Sequence, residues 1–161
     1  MIFNTTINRI PVAKGRPRFS HWGGYTHTYT PTKTLNEEKV IKTHLKQEWT
    51  FEPIDSPIKV FIEFYMPIPA SYSKKKVNEI MVEGKCQHYK KPDLDNLAKL
   101  ILDAMNGLVF RDDSLICELN LVKKYSTLPR VEITVDTGDI NPLTKTVEKK
   151  KYNCICGRNF K

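Results

Sequence analysis

Between Pro92 and Gly107 the sequence admits essentially one local structure. Leu94, Leu97, Leu100, Ile101, Ala104, Met105 and Leu108 recur at the helical period. Pro92 keeps the helix from starting earlier and holds Lys91 extended. Gly107 stands where a helix leaves through a left-handed residue. The mouth of this helix carries Asp93 and Asp95, Asp112 and Asp113 follow its end, and Lys90, Lys91, Lys99 and Arg111 border the group. Crowded carboxylates repel unless something positive sits among them, and a divalent cation is the usual occupant of such a place.

The bland reading makes Asp93 or Asp95 an N-cap, worth around 1 kcal/mol to a helix. It accounts for one carboxylate and leaves the second pair unexplained. Reach allows the two pairs to meet. The helix rises about 18 Å from Asp95 to Gly107, and the six residues Leu108–Asp113, fully extended, return roughly 20 Å. All four aspartates are therefore expected at one point. Asp103 lies two turns in, too far to share an ion with Asp95, and is expected to pair with Lys99.

An all-oxygen donor set suits Mg²⁺, with Mn²⁺ as the alternative, and argues against Zn²⁺. An EF-hand counted from Asp93 fails, because Ala98 and Ala104 fall where it needs Gly and Glu. Such an ion can activate water and stabilise the leaving oxygen of a phosphodiester. Lys99, one turn beyond Asp95, can bind the scissile phosphate as its charge grows. Lys90, Lys91 and Arg111 would offset repulsion between the carboxylates and a nucleic-acid backbone. The expectation is a metal site that cuts nucleic acid.

Charge points the same way. Among 161 residues, 26 Lys and Arg stand against 18 Asp and Glu, a net charge of +8, which favours a polyanionic partner. No apolar run is long enough to cross a bilayer, and Met1–Thr6 turns polar too soon for a secretory signal. Four scattered cysteines fit a reducing compartment. The expected location is the cytoplasm.

Elsewhere the chain divides readily. Residues 2–10, 57–66, 116–125 and 131–135 read as strands, the last two as an antiparallel hairpin. In the third, Cys117, Leu119 and Leu121 are expected on the face that meets the helix, with Asp113 sharing their parity. Thr34 and Glu37 form a capping box for a helix with an apolar stripe of Leu35, Ile41, Leu45 and Trp49. Partial burial with a hydrogen bond is expected for His44, and a surface position near Lys59 for Glu63. Ser73 caps a short helix closed by Gly84. Residues 14–29, rich in Gly and aromatics, read as a loop whose rings pack on the core, with stacking on bases as the alternative, while Lys14, Arg16 and Arg18 contact phosphate. Residues 1–136 make one domain. Residues 137–161, with six Lys and Arg against two Asp and Glu, make a basic extension. There Cys154 and Cys156 are one residue short of the usual zinc spacing.

Lys91-Pro92-Asp93-Leu94-Asp95-Asn96-Leu97, Lys99, Leu102-Asp103-Ala104-Met105-Asn106-Gly107 and Asp112-Asp113-Ser114 resemble the RusA family of Holliday-junction resolvases. The likeness extends more loosely to Pro11–Arg18, Tyr29-Thr30-Pro31 and Met66-Pro67-Ile68-Pro69. It implies a small α+β fold, a mixed sheet of about four strands with two main helices, forming a homodimer of the kind often carried by phages. It implies a Mg²⁺-dependent enzyme that nicks opposed strands of four-way DNA junctions in recombination and repair. Family catalytic aspartates fall on Asp93, Asp95 and Asp113, with Asp112 as a further candidate ligand, and the catalytic lysine falls on Lys99. Two other readings are a non-catalytic basic DNA-binding protein and a metal-dependent nuclease acting on flaps or forks.

Overall fold

A computed structural model of the chain describes residues 1–81 and 87–138. It contains β1 (Ile2–Ile7), β2 (Arg18–Trp22), β3 (Tyr25–Tyr29), α1 (Thr32–Glu48), β4 (Ile58–Pro67), α2 (Lys74–Met81), α3 (Leu94–Met105), β5 (Ile116–Ser126) and β6 (Arg130–Asp136). The fold is α+β. A four-stranded mixed sheet in the order β1-β6-β4-β5 carries the helices, and β2 and β3 pair separately.

Strict alternation makes β4 the axis of the sheet. Ile58, Val60, Ile62, Phe64 and Met66 are buried, and the residues between them are half-buried. Against the buried side lie Ile41, Leu45 and Trp49 of the α1 region and Leu97, Leu100, Ile101, Ala104 and Met105 of α3. The opposite face is polar. Glu63 accepts hydrogen bonds from Tyr65 and Lys124, and Arg130 bonds Glu132. Glu63 thus bonds Lys124 across the β4–β5 pair, and Lys59 takes Glu118 instead.

The expected pairing of the last two strands is overturned. β5 runs parallel to β4 on one side, and β6 runs antiparallel to β4 on the other. A bulge breaks the parity of β5: Ile58 pairs with Ile116 but Lys59 pairs with Glu118. Cys117 is the extra residue, with its Sγ donating to the Ile58 carbonyl at 3.2 Å. Leu119 and Leu121 keep the helix side, opposite Val60 and Ile62, while Cys117 leaves it.

Helix starts also differ from expectation. Pro31, with φ of −55°, occupies the N-cap of α1, so the helix begins two residues before Thr34. Thr34 is buried in the first turn, its hydroxyl accepting the Gly15 N–H at 3.0 Å rather than capping. Leu35 is exposed. Ser73 does cap α2, accepting from Lys76 N. Gly84 lies outside the described residues, as do Cys154, Cys156 and the basic extension beyond residue 138.

Residues 18–29, expected as a loop, form a hairpin. Its two-residue turn is Gly23–Gly24, with φ of 62° and 81°. Both central residues of this tight turn need positive φ, which glycine supplies without strain.

Candidate functional site

Asp93 and Asp95 open α3, as Pro92 requires. Asp93 occupies the N-cap position with extended backbone, yet its side chain makes no capping bond. Asp95 lies in the first turn, and both residues are exposed. Among the described residues neither carboxylate has a hydrogen-bond or ion-pair partner. The oxygens that would ordinarily satisfy the helix N-terminus remain available to a ligand from solution, at the end where the helix dipole favours ionised carboxylates.

Lys99 is exposed one turn further along α3, on the face of Asp95. It is not held by Asp103. That carboxylate pairs instead with the ammonium of Lys14, and Lys14 N donates to the Asn96 carbonyl at 2.8 Å. Lys14 therefore fastens the segment before β2 onto α3, a structural task that removes it from the expected phosphate contacts. Arg16 and Arg18 remain exposed.

Asp112 and Asp113 are not beside Asp93 and Asp95. After Met105 the chain turns tightly, with Gly107 N donating to the Phe110 carbonyl at 2.8 Å. Ile54 then fixes it on both sides: Ile54 N bonds the Val109 carbonyl, and Arg111 N bonds the Ile54 carbonyl. Arg111 closes the contact through Asp55 at 2.7 Å. The extended return pictured from the sequence does not occur, and β5 itself is the return. The entrance to α3 is tied to the far part of β5, where Lys123 Nζ donates to the carbonyls of Lys90 and Pro92 at 2.9 and 2.7 Å. Most of β5 separates the two acidic pairs, on the order of 20 Å. Accordingly, among the described residues no three His, Cys, Asp or Glu side chains gather closely enough to hold a metal ion.

The downstream pair divides its work. Asp112 caps a single 3-10 turn at Asp113–Leu115, accepting from Ser114 N at 2.9 Å. Hydrogen bonds from the Ser114 hydroxyl and backbone hold its carboxyl below the usual range. Asp113 is exposed, with no partner to its carboxylate among the described residues.

Sequence reasoning missed the surroundings of the helix mouth. Lys90 and Lys76 lie over the Tyr72 ring at 4.9 and 4.4 Å, and the Tyr72 hydroxyl bonds that of Tyr125 at 3.0 Å. His88 packs against Tyr125 with the rings tilted by 52° and centroids 4.5 Å apart. Lys123, on the helix side of β5, breaks the apolar alternation there, and that break was its only sequence signal. Lys91 is exposed beside it.

The sequence model of the family described as Endodeoxyribonuclease RusA matches residues 9–136. A protein of Bacillus subtilis (strain 168), described as "Uncharacterized protein YqaN", is 35% identical over 131 residues, spanning 81% of this chain and 92% of that protein. With the Asp93–Asp95 helix mouth and the mixed sheet already in place, a match over this much of the chain has one meaning: it belongs to the RusA family of endodeoxyribonucleases.

Proposed function

We propose that this chain is a Mg²⁺-dependent endonuclease that nicks opposed strands of four-way DNA junctions, acting as a homodimer. The observation that carries the reading is the cap position of α3. A helix that begins on aspartate normally gains about 1 kcal/mol from that side chain, and here both Asp93 and Asp95 are exposed and unbonded among the described residues. Hard carboxylate oxygens with room for several waters fit Mg²⁺ or Mn²⁺. When bound, such an ion would activate a water and offset the negative charge that builds on the phosphoryl and leaving oxygens.

The roles of the chain's own groups follow from position. Asp93 and Asp95 hold the ion, Lys99 binds a non-bridging oxygen of the scissile phosphate, and Lys90 and Lys91 guide the backbone toward the helix mouth. Asp113 is the better candidate than Asp112 for a third ligand, since Asp112 is occupied by Ser114. On this reading Asp113 joins Asp93 and Asp95 from a second copy of the chain, a choice supported by the length of β5 that lies between them within one chain. A two-fold dimer presents two equivalent sites, matching a junction with two strands to cut.

The test is a mobile four-way junction incubated with wild type or Asp95→Asn, with and without Mg²⁺. The wild type is expected to nick two opposed strands only with Mg²⁺, and Asp95→Asn to bind without nicking. Cleavage retained by Asp95→Asn would refute the assignment. Product maps on forks, flaps and linear duplex separate junction preference from other branched substrates.

A further inference from the structure

The β2–β3 hairpin stands off the body of the protein. All its described side chains are exposed, with Phe19 at 67%, Tyr25 at 74% and Tyr29 at 47%. A lone two-stranded ribbon that buries nothing is marginal in water, so rings left on it have a use other than folding. Its root is fixed beside the helix mouth: Lys14 N bonds the carbonyl of Asn96, the neighbour of Asp95, and Gly15 N bonds Thr34 in α1. The ribbon therefore projects from the edge of the acidic site.

Charge identifies what it meets. The first acidic residue of the chain is Glu37, and of the cations before it Arg9 pairs with Glu37 and Lys14 with Asp103, which leaves Arg16, Arg18 and Lys33 to face a ligand. Strand register then sorts the side chains. Arg18 pairs with Tyr29, Ser20 with His27, and Tyr25 lies two residues from His27 on the same strand. One face thus carries Arg18, Tyr25, His27 and Tyr29, while Phe19 and the His21–Thr26 pair take the other. Alternate residues on a strand stand about 6.8 Å apart, twice the roughly 3.4 Å step between stacked bases. Successive rings at Tyr25, His27 and Tyr29 each match the gap between two separated bases.

We propose that this hairpin is an arm whose Tyr25–His27–Tyr29 face stacks on unpaired bases of branched DNA beside the acidic site, with Arg16 and Arg18 on the adjoining phosphates. This rests on the nuclease reading for its DNA partner and adds the part that distinguishes a branch point from duplex. In uninterrupted duplex the bases are already stacked and the rings have no partner. At a branch, bases freed from their neighbours accept them.

The experiment measures binding in EDTA to a labelled four-way junction and to linear duplex of the same arm sequence. Proteins compared are wild type, Tyr25→Ala/Tyr29→Ala and Tyr25→Phe/Tyr29→Phe. The alanine variant is expected to lose about tenfold or more in junction affinity, with duplex affinity within about twofold, and the phenylalanine variant to match wild type. Abasic sites at the branch positions should erase the difference between wild type and the alanine variant. Both positions are exposed, so thermal melts should coincide. Unchanged junction binding, an equal loss on both DNAs, or a change of oligomeric state in sedimentation would overturn the proposal. Failure of the nuclease reading looks different: the wild type would keep its junction preference but never nick with Mg²⁺.

Discussion

Lys123 Nζ donates to the Pro92 carbonyl at 2.7 Å, so the residue preceding Asp93 is held by a side chain from β5. The same ammonium takes the Lys90 carbonyl at 2.9 Å. A cation spent on two carbonyls, in a chain rich in exposed lysines, fixes the approach to the site rather than meeting solvent.

Replacing it tests that function. Lys123→Met keeps the aliphatic stem and removes both charge-assisted bonds, for an expected loss of about 1–3 kcal/mol in stability. The melting temperature should fall by a few degrees, and nicking with Mg²⁺ should fall more steeply than junction binding in EDTA. Lys123→Arg should recover part of the nicking. Equal losses in binding and nicking would show that Lys123 acts on DNA directly.

The two downstream aspartates should separate under substitution. Asp112 serves Ser114 N, whereas Asp113 has no partner among the described residues. Asp112→Ser preserves an N-cap oxygen and is expected to nick at a rate close to wild type. Asp113→Asn is isosteric and should bind junctions normally but nick at least a hundredfold more slowly, in the range of lost general-acid/base or ligand groups. Single-turnover nicking of both variants decides the matter, and the reverse ranking would make Asp112 the functional residue.

Sequence and structure agree where one residue's local requirement dominates. Pro92 and Gly107 bracket α3 because neither has an alternative use there, and the alternation from Ile58 to Met66 describes β4 because both faces of a central strand are constrained. His44 was also legible: it is half-buried and lies 3.3 Å from Thr5 Oγ1. Long-range choices were not. An extended-chain estimate bounds how far Leu108–Asp113 can travel, but the bonds from Ile54 decide where it goes. Parity along β5 fails at Cys117 because a bulge leaves no local signature. Tyr25–Tyr29 alternates as a strand should, but glycine and proline mark loops and tight turns alike, so the hairpin that Gly23–Gly24 closes carries the same local signal as a loop.

Acidification should weaken the fold through His88. Burial, then the nearby Lys123 charge, lowers its pKa, and its Nδ1 is buried without a partner among the described residues. A base whose folded pKa lies below its unfolded value is held neutral by the fold. Below about pH 6.5 the unfolded chain binds the extra proton first, so stability falls as pH drops through that value. Wild-type melting temperature should therefore decline between about pH 7.5 and about pH 5.5 more than that of His88→Gln. Parallel curves for the two proteins would place the acid sensitivity elsewhere.

The separation of Asp113 from Asp95 makes a prediction that no single-chain site can satisfy. Let one chain carry Asp95→Asn and another Asp113→Asn, each inactive alone. If each site takes Asp93 and Asp95 from one protomer and Asp113 from its partner, a mixed dimer holds one doubly damaged site and one intact site. Random exchange makes half of the dimers mixed, so about a quarter of all sites should recover. The recovered activity should nick one strand per junction without the opposed partner nick, since the second site of the same dimer is dead. Co-refolding the two variants and resolving nicked strands on a denaturing gel reads this directly. If every site is complete within its own chain, each mixed dimer carries two damaged sites and the mixture stays as inactive as its parts.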